Sequence, residues 1–400
     1  MSQHNPVLPT PVDPHDVLNL DALINEEERM IRDTVRSYVE KEVNPYVGEW
    51  FDTATIPHQE LAKGMGELGL FGMHLTGYGC AGTSATAYGL ACTELEAGDS
   101  GIRSFVSVQG SLAMFPIWAY GSEEQKQEWL PRMASGDAIG CFGLTEPDSG
   151  SDPSNMLTYA NNDGSDWILN GTKMWITNGS VADVAVVWAR TDDGIRGFVV
   201  PTDSPGFSAP EIKQKMSLRA SVTSELVMQD VRLPASAVLP EISGMRGPLS
   251  CLNEARYGIL FGAVGAARAC YEEALEYAGQ RVQFGKPISA LQLTQQKLVK
   301  MMIAVQQGTL LALHIGKLKD AGELSSTHIS VGKLDNVQMA LDVARTARSI
   351  LGANGISLEY SPIRHMNNLE SVYTYEGTNE IHTLILGLAL TGHQSFAAPQ

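Results

Sequence analysis

The period of the apolar residues changes twice along this chain, and that order constrains the fold more than any single motif. From Asn25 the pattern is helical: Asn25 with Glu28 three residues on reads as a capping box, and Ile31, Val35, Tyr38 and Val39 recur at helical spacing up to Pro45. Helical stretches follow at Leu61–Met73, Ser84–Ala97, Ser107–Tyr120 and Ser122–Ala134, the last capped by Ser122 ahead of two glutamates. From Ala138 the segments become short and mostly β-branched, at 139–144, 166–170, 184–190, 197–201 and 225–232, with turns such as Asn162-Asp163-Gly164 and Asp192-Asp193-Gly194 between them. From Gly247 the helical period returns in four long segments, 248–280, 290–321, 326–352 and 359–391. The pattern predicts an α+β chain: an arm at 1–24, an N-terminal α-helical domain at 25–137, a small β domain, barrel- or sandwich-like, at 138–245, and a C-terminal four-helix bundle at 246–400. A ligand is expected where the three meet.

Two G-x-G-x-x-G matches, Gly64/Gly66/Gly69 and Gly77/Gly79/Gly82, lack the β-α-β context that a dinucleotide fingerprint needs. The net charge of −17 argues against nucleic-acid binding, whose affinity comes mainly from Lys and Arg displacing counterions. Cys80, Cys92, Cys141, Cys251 and Cys270 are scattered without a C-x-x-C pair, so they read as core residues of a reducing, cytoplasmic setting, and no metal site is expected. Met1–Leu20 carries Pro6, Pro9, Pro11 and Pro14 and no basic region followed by an apolar run, so no secretory or mitochondrial address is expected there. Tyr257–Ala267, the longest apolar-rich stretch, is about half of what a bilayer-spanning helix needs, and no membrane span is expected.

Three stretches carry chemistry. Cys141-Phe142-Gly143-Leu144-Thr145 runs a strand into a loop of hydroxyls, acids and glycines that can present donors to a flat polar heterocycle. Trp175 and Thr177 are two apart, hence on one face if the segment is extended; an ordinary hairpin with a packed tryptophan is the alternative. Near the end, Tyr375-Glu376-Gly377-Thr378 interrupts two helical patterns. Glu376 is expected at an inter-helix corner where, short of water, its pKa would rise and it could act as a general base. The alternative there is a helix end with its left-handed cap and Glu376 in solvent.

Taken together these segments resemble the signatures of the acyl-CoA dehydrogenase family, and the resemblance runs from Asn25 to His393. It implies an FAD-dependent enzyme in which Phe142, Leu144, Thr145, Trp175 and Thr177 line the isoalloxazine and Glu376 is the catalytic base. Arg281-Val-Gln-Phe284-Gly resembles the family's Arg-x-x-Phe-Gly segment, which with Gln292 reaches the FAD of a neighbouring subunit, so a homotetramer is implied. Leu351-Gly352-Ala353-Asn354-Gly355 resembles its pyrophosphate loop, with Ala353 where the family has a second glycine; a need there for positive φ or for the closest backbone approach would weaken FAD binding. Thr378 and Glu380 fall at positions implied to contact the adenosine side of FAD. Asn253, Arg256 and Ser151 are implied to lie along CoA, and an inter-helix polar contact is the other reading for Asn253 and Arg256.

The substrate is read from Glu96-Ala-Gly-Asp-Ser-Gly-Ile-Arg103-Ser104, where a guanidinium stands just past a glycine break. An arginine there suits a carboxylate at the far end of a substrate, or merely bridges Glu96 or Asp99. The stretch is similar to that of the family's glutaryl-CoA dehydrogenases, which implies that Arg103, Ser104, Glu96 and Tyr375 bind the substrate tail. Glutaryl-CoA would then be oxidised, lose CO2 and leave as crotonyl-CoA, with an electron-transfer flavoprotein as acceptor. A short-chain or non-decarboxylating acyl-CoA dehydrogenase, and a non-catalytic flavin-containing relative that binds nucleic acid, are the alternatives.

Overall fold

The computed structural model describes residues 12–395, so Pro6, Pro9 and Pro11 of the arm lie outside the described residues. Helices come first: α1 (Glu26–Glu42), α2 (Val47–Thr53), α3 (His58–Glu67), α4 (Ala85–Gly98), α5 (Ser100–Ser107), α6 (Phe115–Tyr120) and α7 (Glu123–Ala134). The strands are β1 (Gly140–Gly143), β2 (Tyr159–Asn162), β3 (Asp166–Thr177), β4 (Val184–Thr191), β5 (Gly194–Pro201), β6 (Phe207–Ser208) and β7 (Thr223–Pro234). Then follow α8 (Arg246–Gln280), the small hairpin β8 (Val282–Gln283) and β9 (Lys286–Pro287), α9 (Gln292–Asp320), α10 (Ser326–Ile350), α11 (Pro362–Thr374) and α12 (Asn379–Thr391).

Caps set several of these boundaries. Asn25 and Glu28 form the predicted box, each side chain bonded to the other's backbone, and Ser122 with Gln125 repeats it at α7. The expected helix over Leu61–Met73 stops sooner, because Gly69 and Gly72 take left-handed conformations (φ 67° and 64°) that end it. The expected helix at Ser107 instead begins at Ser100, where the Asp99 carboxylate accepts from the Gly101 N–H, and it reaches Tyr120 through a π-helical stretch at Val108–Met114. Of the two glycine motifs, Gly64 and Gly66 lie inside α3, and Gly77–Gly82 lies in the loop before α4; neither follows a strand.

The sheet runs β1-β4-β2-β3-β7-β6, with β5 paired to β4. β4 is buried on both faces: Val184, Val186 and Trp188 join the core shared with the N-terminal helices, while Ala185, Val187 and Ala189 fill the interior of the sheet. A strand so placed reads as a continuous apolar run. β2 went unpredicted because only Ala160 of its four residues points inward. β3 runs past Asn170-Gly171, a pair that reads as a stop, by taking register shifts at Leu169/Gly171 and Lys173/Ile176.

α8 is the axis of the C-terminal bundle and packs on α4 from the N-terminal helices as well as on α10. Glycines let the backbones meet: a Cβ at Gly265 would lie 1.9 Å from the Thr93 carbonyl oxygen, and one at Gly262 2.0 Å from Glu96 Oε2. The expectation that Tyr257–Ala267 is the longest apolar-rich stretch needs correction. α9 is, by length and composition, apolar enough to cross a membrane; here it packs beside α8, α10 and α4. Its stripe of apolar residues alternates with Gln and Lys, so no single run stands out by eye.

The close helix contact gives a test. Gly265→Ala should lower stability by about 2 kcal/mol from overpacking. Gly279→Ala, with no atom within 4 Å of the added carbon, should leave it unchanged or raise it by about 0.5 kcal/mol. Equal melting temperatures for the two variants would contradict the contact.

Candidate active site

Asp99 turns the chain between α4 and α5 and ties both to α11. Its carboxylate accepts from Arg364 Nη1 at 2.6 Å and from Asn368 Nδ2 at 2.8 Å. The start of α5 is thereby fixed to the helix whose far end carries Tyr375 and Glu376. Within the first turn of α5, Arg103 is 0% exposed, and its Nε donates to Glu96 Oε2 at 2.6 Å. Its Nη2 donates to the Tyr375 hydroxyl, which also lies 3.4 Å from Ser104 Oγ. Burial opposes the charge on Arg103, yet Glu96 and Tyr375 beside it hold its proton more tightly than usual. Nη1 of Arg103 and Oε1 of Glu96 are buried and have no hydrogen-bond partner among the described residues. Gly262 on α8 leaves the room in which this pair sits.

The Tyr-Glu-Gly corner joins α11 to α12, as the sequence predicts. Glu376 itself is left-handed (φ 52°), followed by Gly377 at φ 94°. The solvated-cap alternative fails, because Oε2 of Glu376 is buried and unpaired among the described residues. Burial raises the pKa of this carboxyl above its ordinary value, and Arg103, Lys333 and Arg256 pull against that rise. Three consecutive carbonyls are captured here: Lys333 Nζ donates to Tyr375 O at 2.9 Å and to Gly377 O at 2.7 Å, and Arg256 Nε donates to Glu376 O at 2.6 Å. Arg256 is buried, with Nη1 3.4 Å from Asn253 Oδ1. Arg256 thus makes a polar contact from α8 to the corner after α11, while Asn253 bonds to Arg256 within α8. Ser151 is exposed and hydrogen-bonds to none of them.

On the β side, Phe142 and Leu144 are buried, Thr145 and Thr177 are half-buried, and Trp175 is 58% exposed. Trp175 sits in the second irregularity of β3 with φ 64°, so the regular-strand argument is amended: the irregularity, rather than simple alternation, sets the indole. The loop before it is held to β3 by Met174 N–H on Thr145 O at 2.8 Å. Lys173 Nζ adds bonds to Leu144 O at 3.1 Å and Glu146 Oε1 at 2.8 Å.

Arg281, Phe284 and Gln292 are all exposed around the β8–β9 hairpin. Phe284 (φ 53°, 93% exposed) and Gly285 (φ 77°) make its two-residue turn. Gly352 carries the positive φ of its loop (62°), whereas Ala353 is right-handed at −64°; the conformational cost expected of alanine there does not arise. Thr378 caps α12 by accepting from the Ile381 N–H at 3.3 Å, and Glu380 is exposed in its first turn.

Sequence reasoning missed Lys173 and Lys333, both 0% exposed. For Lys333 a signal existed: it falls on the buried stripe of α10 with Ile329, Asn336, Val337 and Ala340, where a charge is out of place unless partnered.

Models of the acyl-CoA dehydrogenase N-terminal, middle and C-terminal domains match residues 25–137, 141–231 and 243–391. The crystal structure of a glutaryl-CoA dehydrogenase from Mycobacterium smegmatis is 64% identical, with a TM-score of 0.95 over 97% of this chain and 100% of that one. A glutaryl-CoA dehydrogenase from the same organism, solved in complex with FADH2, is 62% identical with the same TM-score and coverage. The mitochondrial short-chain specific acyl-CoA dehydrogenase of Bos taurus is 36% identical over 371 residues, 90% of this chain and 89% of that protein. With a buried carboxylate at its helix corner and all three domain models matched in order, this chain belongs to the acyl-CoA dehydrogenase family.

Proposed function

We propose that the chain oxidises glutaryl-CoA and releases CO2, leaving crotonyl-CoA, with Glu376 as the base. The observation that carries the substrate assignment is Arg103: fully buried, anchored by Glu96 and Tyr375, and holding one guanidinium nitrogen without an acceptor in the chain. A buried donor of that kind favours a ligand carboxylate. The likeness to the mycobacterial glutaryl-CoA dehydrogenases supports the same reading.

FAD is the cofactor, supported by the family and by the FADH2-bound relative. The residues fit it: Trp175 offers an indole face that the chain's own core does not use, and the half-buried Thr145 and Thr177 supply hydroxyls from the loop held to β3 and from the end of β3. Bound there, FAD supplies the acceptor for the hydride leaving the substrate's β-carbon. We assign the exposed Arg281, Phe284 and Gln292 to the cofactor of a neighbouring subunit in a homotetramer, and an electron-transfer flavoprotein as the acceptor downstream.

The chain's own part is proton handling and positioning. Glu376 takes the α-proton onto a carboxylate that burial already pushes toward the protonated form, which matches it to a weakly acidic thioester proton. Arg103, with Ser104 and Tyr375 beside it, holds the far carboxylate, fixing which carbon faces Glu376. Once CO2 departs, the proton on Glu376 is the one at hand to return to the γ-carbon.

The first experiment is anaerobic incubation with glutaryl-CoA and an artificial acceptor, with mass identification of the thioester. Crotonyl-CoA is expected; glutaconyl-CoA would remove the decarboxylation step, and oxidation of butyryl-CoA with glutaryl-CoA untouched would leave a short-chain enzyme like the bovine relative. Arg103→Ala should lower kcat/KM for glutaryl-CoA at least about 100-fold more than for butyryl-CoA, and equal losses would remove the carboxylate role. Glu376→Gln should cut kcat by about 1,000-fold. Because the base must be ionised and its pKa is raised, wild-type kcat/KM should climb with pH through a limb above the ordinary glutamate value; a limb at that ordinary value would contradict the buried carboxyl.

A further inference from the structure

The corner that carries Glu376 is an unfavourable place for a carboxylate. α11 ends at Thr374 and α12 begins at Asn379, so the carbonyls of Tyr375, Glu376 and Gly377 belong to neither helix and need donors where they are buried. The left-handed Glu376 adds backbone strain, about 1–2 kcal/mol for a residue with a side chain. The donors for these carbonyls come from α10 and α8.

Lys333 is a fully buried lysine whose ammonium touches neither Glu376 nor any other carboxylate within ion-pair distance among the described residues. Its two hydrogen bonds straddle the base instead, one to the carbonyl before Glu376 and one to the carbonyl after it. Arg256 takes the carbonyl between. A Cβ on Gly377 would lie 3.0 Å from both Arg256 Nη2 and His382 Nε2, so the backbone is also pressed against these neighbours. His382 Nδ1 lies 3.0 Å from Ser330 Oγ, three residues before Lys333 on α10, which fastens the start of α12 to the same face.

We infer that Lys333 is a positioning residue for the reaction: its ammonium holds the backbone on both sides of Glu376, fixing where the carboxylate points, and supplies positive charge that favours the ionised base. The inference rests on the reading of Glu376 as the base.

The charged and titratable groups around that base come from every packed element: Arg103 from α5, Glu96 from α4, Arg256 from α8, Lys333 from α10, His382 from α12 and the neighbouring Tyr375. Burial, then Lys333 and Arg256, keep His382 neutral, at about 3. Burial pulls Lys333 down to about 7, with Glu376 opposing that fall and Arg256 and Arg103 adding to it. Near neutral pH, then, the lysine's proton is the one most easily lost among the three cations. A lysine without its proton keeps donors for the carbonyls but no longer helps ionise the base.

The test compares wild type, Lys333→Met, Lys333→Arg and Glu376→Gln on whichever acyl-CoA the wild type oxidises, with flavin absorbance and melting temperature read alongside. Lys333→Met is expected to lose about 100-fold in kcat with little change in KM, as a misplaced catalytic group does. Its acid limb in kcat/KM should move to higher pH, because the charge that lowers the pKa of Glu376 is gone. Lys333→Arg, which keeps that charge, should hold the limb at the wild-type pH. Wild-type kcat in Lys333→Met, or a lost rate with an unmoved limb, would overturn the inference. If Lys333→Met does not fold, the arginine variant decides: a displaced limb overturns the inference and an unmoved one supports it. An active Glu376→Gln would remove the base itself and the inference with it, whereas an inactive Glu376→Gln beside an indifferent Lys333→Met overturns the inference alone.

Discussion

The buried pair of Arg103 and Glu96 is the interaction on which the N-terminal half of the site depends. Both side chains are 0% exposed. Taking two charges out of water carries a penalty of several kcal/mol per ion, and a hydrophobic pair of the same volume is often as stable or more so. The surroundings are shaped to keep the pair all the same. Gly262 gives up its side chain so that Glu96 fits against α8, and the Tyr375 hydroxyl takes a second donor of the guanidinium. Such an arrangement makes sense if the pair serves recognition rather than stability. A fixed guanidinium with an open donor discriminates a carboxylate from a methyl group far better than apolar walls discriminate by size.

The same residues make the two ends of the substrate site one mechanical unit. Asp99 fastens α5 to α11, Arg103 bonds to Tyr375 at the end of α11, and Glu376 is the next residue along. In the proposed reading, the group that would sense the tail and the group that would remove the α-proton are therefore separated by one peptide bond and one hydrogen bond. On that reading, displacing Arg103 would shift Glu376, so selectivity and proton transfer would share their geometry.

Much of this was legible in the sequence because it depends on local rules. The two period changes give the helix–sheet–helix order, Asn25 and Ser122 with their N3 partners give helix starts, and the break between α11 and α12 places Glu376 at a corner. What stayed hidden depends on contacts between distant segments. Lys333 lies 42 residues before the nearer carbonyl it binds, and nothing within one helical window announces that. Arg256 is the instructive case: its spacing to Asn253 was visible, but its main partner is a backbone atom 120 residues away. Trp175 shows the same limit in a strand, since a register shift against β7 rather than alternation decides which way the ring faces.

The charges around the base suggest why one substrate suits this site better than another. Arg103, Arg256 and Lys333 are three cations, facing the carboxylates of Glu96 and Glu376. With the base ionised and Lys333 protonated, the cluster carries one uncompensated positive charge, which in a buried setting is costly unless a ligand answers it. In the proposed reading a glutaryl carboxylate would answer it before any chemistry begins; a butyryl chain would not. Proton abstraction moves a negative charge from Glu376 to the substrate without changing the total, so the three cations serve the product of that step as well as its start. In the proposed reaction the departing hydride would carry that charge to the flavin, and loss of CO2 would again leave the total unchanged, since the carboxylate facing Arg103 would depart as a neutral molecule while its electron pair remained on the acyl chain. The negative charge would then lie on the acyl chain, and return of the proton from Glu376 to the γ-carbon would restore the carboxylate among the same three cations.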